Sequence, residues 1–325
     1  LNQVKKEIVS TEYKKYINTP SGKETQPEIL VNKFKSILSE LGYNKETADF
    51  AKDYAHFLSF YLNRTSDALA VIDSVLTARD LNNLQRSTIK VEQADINVYD
   101  NNLWEATLLY AQIIDSNKDN PIGDEVKMKK ALLGFYLGEI NWAKAQVDVL
   151  KASTSKLIAN DAMYFSLLIS DNEEDDFEEE QEEEDSVAVS LFENEISNQA
   201  LRYFAKADFM IFKNQNDQAM GLLDSILIID PFGKLADDVY FQKAKLLLKK
   251  GDYFGAENYL KQVVEKFAYE LLADDAIFQL GELYEFYLKD NQKAMDYYQT
   301  LMRDYPGSLY AVEARKRFRT LRGDF

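Results

Sequence analysis

Few side chains in this sequence could carry bond-making chemistry. Cysteine is absent and His56 is the one histidine. Thiolate nucleophiles, disulfides, iron–sulfur clusters and thiolate zinc sites are thereby excluded, and histidine-rich metal centres with them. No serine or cysteine nucleophile motif stands near His56, so a buried core histidine is expected there rather than a catalytic one. The densest charge is the run Asp171–Asp185, twelve carboxylates in fifteen residues with no basic residue. It lacks the alternating aspartates and the glycine turn of a calcium loop. A solvated loop is expected, with a partner-binding acidic segment as the alternative and a specific metal site behind both. Trp104 and Trp142 follow hairpin turns and are expected to pack beneath them rather than stack on a ligand. Arg315, Lys316, Arg317, Arg319 and Arg322 crowd the last helix, where cations suit the macrodipole; a patch for an anionic partner is the alternative. No catalytic residue, no cofactor and no metal is expected, and the chain reads as a non-enzyme.

The elements that position these residues are helices. Of 325 residues 46% are apolar, enough for a sizeable core. Twelve glycines and five prolines punctuate the chain too sparsely for an all-β sandwich. A net charge of −17 has the wrong sign for a general nucleic-acid binder. No apolar run reaches the roughly 18–20 residues of a membrane span. The sequence opens at Leu1 rather than methionine, from which a fragment or a processed form is expected.

An internal period organises the chain. Ala68, Ala106, Ala145, Ala219, Ala256 and Ala294 are spaced by 38, 39, 74, 37 and 38 residues. Apolar or aromatic residues follow each at i+4 (Ile72, Tyr110, Val149, Leu223, Leu260, Tyr298) and at i+7 (Val75, Ile113, Ala152, Ile226, Val263, Leu301). That spacing is one face of a helix. Twelve residues before the first five alanines stand His56, Ala94, Leu133, Ala207 and Ala244; the last has Gly281, with one extra loop residue. A small residue there lets two antiparallel helices approach closely. The unit is therefore a helix hairpin, repeated. Leu235-Ala236-Asp237-Asp238, Leu272-Ala273-Asp274-Asp275 and Ile158-Ala159-Asn160-Asp161 each read as a helix start whose aspartate can cap orphan N–H groups.

Leu280, Gly281, Tyr284, Ala294, Tyr298 and Pro306 resemble the tetratricopeptide repeat signature, as do Tyr203, Ala207, Ala219, Leu223 and Pro231. The segment Pro306–Ala311, with the Ala-Asp-Asp helix starts, is similar to exported bacterial tetratricopeptide proteins of the outer-membrane assembly lipoprotein kind. The resemblance implies a right-handed α-solenoid, a protein or peptide partner, and a place in the bacterial cell envelope or periplasm, with the cytoplasm as alternative. Periods of 37–39 exceed the consensus of about 34.

The expected organisation is N-terminal helices over 1–45, with Leu1, Val4, Ile8 and Ile17 near one face of the first. A repeat block follows over 46–170, an acidic insert loop over 171–186, and a second block with a capping helix over 187–322. The missing alanine falls near Glu182, so the helix closing that unit is either displaced to about 187–196 or lost. Three residues before the small position, on the expected groove face, stand Phe204, Phe241 and Phe278, with Tyr164 at the matching place in the broken unit. These four are the candidate partner-binding residues, expected partly exposed, in a non-catalytic scaffold and a monomer. A regulatory or targeting subunit whose catalytic part lies in another chain is the alternative. Solvated like charges repel and pack little, so deleting Glu173–Glu184 should change the unfolding free energy, measured by urea denaturation, by less than about 2 kcal/mol.

Overall fold

The computed structural model describes residues 2–19, 26–118, 120–172, 184–231 and 233–324, with 184–197 described by their backbone alone. The chain is 80% helical, and no strand occurs among the described residues. It is an all-α solenoid. Helices α1 (Asn2–Asn18) and α2 (Pro27–Leu41) precede hairpins α3/α4 (Ala48–His56, Thr65–Leu76), α5/α6 (Asn83–Tyr99, Leu103–Ser116) and α7/α8 (Pro121–Tyr136, Ile140–Leu150). Helix α9 (Lys156–Ser170) packs on α8, and the next described helix is the 29-residue α10 (Glu184–Phe212). Hairpin α10/α11 (α11 Asn216–Ile229) is followed by α12/α13 (Ala236–Lys250, Tyr253–Lys266), α14/α15 (Ala273–Leu283, Asn291–Asp304) and α16 (Ala311–Arg322).

The chain divides into two compact units. Unit 1 comprises 1–170 and 208–215; unit 2 comprises 171–207 and 216–325. The division differs from the expected blocks, because the last turn of α10 packs with unit 1. The acidic run lies outside the described residues over 173–183, and 184–186 are helical. Residues 187–196 form neither a separate closing helix nor a gap; they are part of α10.

The hairpin tips set the register. One residue with left-handed φ occurs in each: Asn63, Asn101, Gly138, Asn214, Gly251 and Lys289. Glycine adopts this conformation freely and asparagine tolerates it. The next residue's N–H closes the helix end: Asn102 to the Asn97 carbonyl, Glu139 to Gly134, Gln215 to Met210 and Asp252 to Leu247, at 2.8–2.9 Å. Each is the 6→1 bond that satisfies an orphan carbonyl. Five residues past each left-handed position comes a buried alanine: Ala68, Ala106, Ala143, Ala219, Ala256 and Ala294.

The third member corrects the sequence register. Ala145 and Val149 are exposed, whereas Ala143, Val147 and Leu150 are buried. Both alanines satisfy an apolar pattern; the tip at Gly138 selects the first.

The small inner position is corrected with it. Counting back from the tips gives Ala55, Ala94, Ala131, Ala207, Ala244 and Gly281, all buried. The first and last hairpins hold one residue more, placed as a π-helical turn over Phe57–Tyr61 and Tyr284–Leu288 rather than in a loop. Their closing bonds accordingly span one residue more, Arg64 N–H to Leu58 and Asp290 N–H to Tyr284. His56 is thereby moved off the small position, which Ala55 fills, and is half-buried instead of core.

Other local expectations are also revised. In α1 the buried face carries Val9 and Tyr13, while Val4 and Ile8 are exposed. Helix α9 starts at Lys156, so Asp161 lies beyond its first turn and caps nothing. Asp237 and Asp274 do lie in first turns. Burial pushes Asp237 up to about 6, against the lowering pull of hydrogen bonds from the backbone N–H groups of Asp237 and Asp238.

Helices approach closely at Gly281, where an added Cβ would fall 2.4 Å from the Tyr298 ring. Gly221, inside α11, faces open space. The two glycines should respond with opposite signs: Gly281→Ala should destabilise by about 1–3 kcal/mol through overpacking, whereas Gly221→Ala should stabilise by about 0.5–1 kcal/mol. Urea denaturation of both variants reads the difference directly.

Candidate functional site

Seven residues before each buried alanine stands a tip residue of the first hairpin helix: Tyr61, Tyr99, Tyr136, Phe212, Lys249 and Tyr287. Five of the six are aromatic. Once the tips fix the alanine register, this spacing is readable from sequence; the shifted choice of Ala145 hid it.

In unit 1 the tips Tyr99 and Tyr136, with Phe60, converge on the segment Asp208–Gln215, which itself carries the tip residue Phe212. The Phe209 ring stacks on Tyr136 at 5.1 Å, and Phe212 meets Phe60 edge-on at 5.5 Å. Tyr136 Oη donates to Asp208 Oδ2 at 3.0 Å. Desolvation and that carboxylate push the Tyr136 phenol well above its ordinary range. Lys213 Nζ donates to Asn101 Oδ1 at 2.9 Å and lies over the Tyr99 ring. Asn214 Nδ2 donates to the Phe60 carbonyl. The last turn of α10 and the three residues after it are thus gripped by three hairpins through rings, a phenol, an amide and a carbonyl.

Beside it lies a polar cluster. Asp95 is buried, accepts from Tyr110 Oη at 2.5 Å and pairs with Lys129 Nζ at 2.9 Å. Burial raises the Asp95 carboxyl, with the Lys129 cation pulling it back down. His56 Nδ1 stands 2.9 Å from Glu92 Oε1, and its ring stacks on Phe60 at 4.3 Å. Glu92 and the π-helical turn account for the place of His56 at the edge of this cluster.

The aromatic strip expected along the groove is not exposed. Phe204, Phe241 and Phe278 retain 3%, 6% and 7% of their surface, and Tyr164 is half-buried. The reason is explicit for Phe278: Tyr310, entering α16, stacks on it at 4.5 Å. Lys245 covers the Phe241 ring. The phase shared by these residues reflects stacking between successive hairpins, and their burial assigns the three phenylalanines to the core.

Trp104 is 84% exposed, not tucked under its turn. Trp142 is partly packed, its ring lying where a side chain on Gly134 would stand, with Lys130 above it. Among the basic residues of α16, Arg317 does more than suit the helix dipole. It reaches Glu282 at 3.0 Å, Glu285 at 3.3 Å and Glu313 at 3.1 Å, and so ties the terminal helix to α14 and its π-helical turn. In unit 2 the tip position holds Lys249 in one hairpin and Tyr287 in the next; Tyr287 is 46% exposed and stacks at 4.5 Å on Tyr253, which begins α13. No group of three or more histidine, cysteine or carboxylate side chains placed to hold a metal ion occurs among the described residues. No helix among them is long and apolar enough to cross a membrane.

Residues 238–268 and 275–308 match the tetratricopeptide repeat family. The two matched stretches correspond to hairpins α12/α13 and α14/α15. Solved structures similar in fold include a tetratricopeptide repeat protein from Parabacteroides merdae, 14% identical, covering 84% of this chain and 97% of its own, with a TM-score of 0.38. Another is PilF of Pseudomonas aeruginosa, 14% identical, covering 86% of this chain and 99% of its own, with a TM-score of 0.30. Likenesses this remote carry no functional information. No curated protein matches the sequence.

The buried pair beside the gripped segment yields a signed expectation. Lys129→Met leaves the Asp95 carboxylate without its cation and should cost about 3 kcal/mol at pH 7, the low end of the range because Lys129 is only half-buried. The Asp95 carboxyl is already raised, so the folded variant takes up its proton as pH falls and the deficit should shrink towards pH 4. Adding Asp95→Asn should recover most of the loss at pH 7. Urea denaturation across that pH range measures all three.

Proposed function

We propose that this chain is a non-catalytic scaffold that binds protein partners through its helical repeats. The observation that carries the reading is the grip on residues 208–215 in unit 1, where tips of three hairpins hold a short helical end by ring stacking and side-chain hydrogen bonds. In unit 2 one hairpin tip carries an aromatic ring at the same position, Tyr287, and it is nearly half exposed. Aromatic anchors of this kind dominate the energy of protein interfaces. The tetratricopeptide repeats over 238–308 support the same class of function. The net charge of −17 weighs against nucleic acid as the partner. The chain is proposed to act as a monomer.

The cell envelope is the proposed location, supported by the resemblance of Pro306–Ala311 and the Ala-Asp-Asp helix starts to exported bacterial repeat proteins. The alternative, a regulatory or targeting subunit of an enzyme complex, is distinguished by the nature of the partner. Crosslinking capture from the native source with the purified chain as bait should retain a discrete protein at stoichiometric yield. Recovery of an enzyme dependent on the bait for activity would favour the subunit reading. Recovery of no specific protein would end the scaffold reading, and a cytoplasmic fraction holding all the native chain would end the envelope assignment.

A further inference from the structure

We propose that the outer face of α16 seats an acidic helix of a partner protein, held by Arg315 and Arg319. The proposal rests on the scaffold reading and names its partner class. Helix α16 begins as the first helices of the two preceding hairpins begin. Ala311 and Ala314 are buried, as are Ala273 and Ala276 in α14 and Ala236 and Val239 in α12. On its inner side Arg317 ties it to Glu282 and Glu285, so the helix is a fixed platform.

The kind of occupant follows from what covers the same positions in those hairpins. Tyr240 of α12 stacks on Tyr259 of α13 at 5.9 Å. Gly281 of α14 lies against the Tyr298 ring of α15, and Tyr284 stacks on Tyr297 at 5.6 Å. These residues form the row that faces the second helix. Counted from Ala236, Ala273 and Ala311, the row stands at +4, +8 and +11, which in α16 are Arg315, Arg319 and Arg322. All three are exposed, and no second helix covers α16 among the described residues. The face is therefore a seat shaped for a helix.

The side chains in that row select the charge. Any polar residue would solvate an uncovered helix, yet the row is arginine throughout, and four of the nine arginines in the sequence lie in α16. In a chain of net charge −17, this helix holds five cations and one acid, Glu313. Glu313 is held by Arg317 at 3.1 Å and stands 3.8 Å from Lys316, and Asp324 pairs with Arg322. Arg315 and Arg319 have no ion-pair partner among the described residues and stand one turn apart. The planar guanidinium matches a carboxylate through two parallel hydrogen bonds. The partner helix therefore carries carboxylates at i and i+4 on one face. Val312, 77% exposed and one turn before Arg315 on the same face, adds apolar contact.

The test uses the full chain and two fluorescent alanine-based peptides of about 18 residues, long enough for helix to form, read by anisotropy. One carries its glutamates at i, i+4, i+7 and i+11; the other has the same composition with the glutamates spread around the helix. Saturable binding is expected, about tenfold tighter for the one-face peptide and weakening with salt. Changing Arg315→Glu and Arg319→Glu together should lower that affinity by about tenfold or more with an unchanged thermal melt. Changing both to lysine should lose part of it, which keeps the test open should the double glutamate variant fold poorly. Four results would overturn the proposal: no saturation by about 1 mM peptide, equal binding of the two peptides, binding indifferent to the arginine variants, or arginine-dependent cosedimentation with phosphatidylglycerol vesicles in place of peptide binding, which would make an anionic lipid surface the occupant. A partner captured by crosslinking together with failure here removes this face alone; failure of both removes the scaffold reading as well.

Discussion

Everything periodic in this chain depends on one backbone event, the left-handed residue at each hairpin tip. It ends the first helix, satisfies a carbonyl through the following N–H, and starts the second helix at a fixed phase. Because the second helix always leaves the tip at the same phase, a buried alanine arrives five residues later in all six hairpins, and its i+4 and i+7 neighbours are buried with it. Lys289 shows how strongly the geometry is imposed. A branched-chain-free but bulky side chain in this region costs roughly 1 kcal/mol, and the repeat maintains the conformation nonetheless.

Most of the architecture was legible in the sequence because a hairpin repeat writes its core at helical spacing. Helix α2 and the hairpins fall close to where the apolar periodicity puts them. The failures have a common origin. Apolar content at Ala145, Val149 and Ala152 imitates the core pattern of Ala143, Val147 and Leu150, and periodicity alone does not separate two registers two residues apart. Backbone conformation does, through Gly138, and a glycine or asparagine five residues before each anchor was the readable signal at five of six tips.

The candidate site was less legible. Helical phase identified Phe204, Phe241 and Phe278 as a set, but phase does not say whether a neighbouring element covers that set. Tyr310 from the terminal helix does so for Phe278. Conversely, the grip on residues 208–215 joins residues up to 154 positions apart, a relation no local pattern encodes. The buried Asp95–Lys129–Tyr110 cluster belongs to the same class: three unremarkable polar residues acquire meaning only when packing removes their water.

The two π-helical turns have a consequence for how such an array diversifies. A helix advances about 100° per residue, so one extra residue near the tip rotates everything upstream of it by that amount relative to the second helix. In the first hairpin this moved a histidine out of the core and towards Glu92, while alanine slid into the vacated contact. Single-residue insertion at this point therefore re-aims an entire helix face and leaves the stacking period of the array intact. Successive hairpins can acquire different linings by length change as well as by substitution, and the first and last hairpins of this chain have done so.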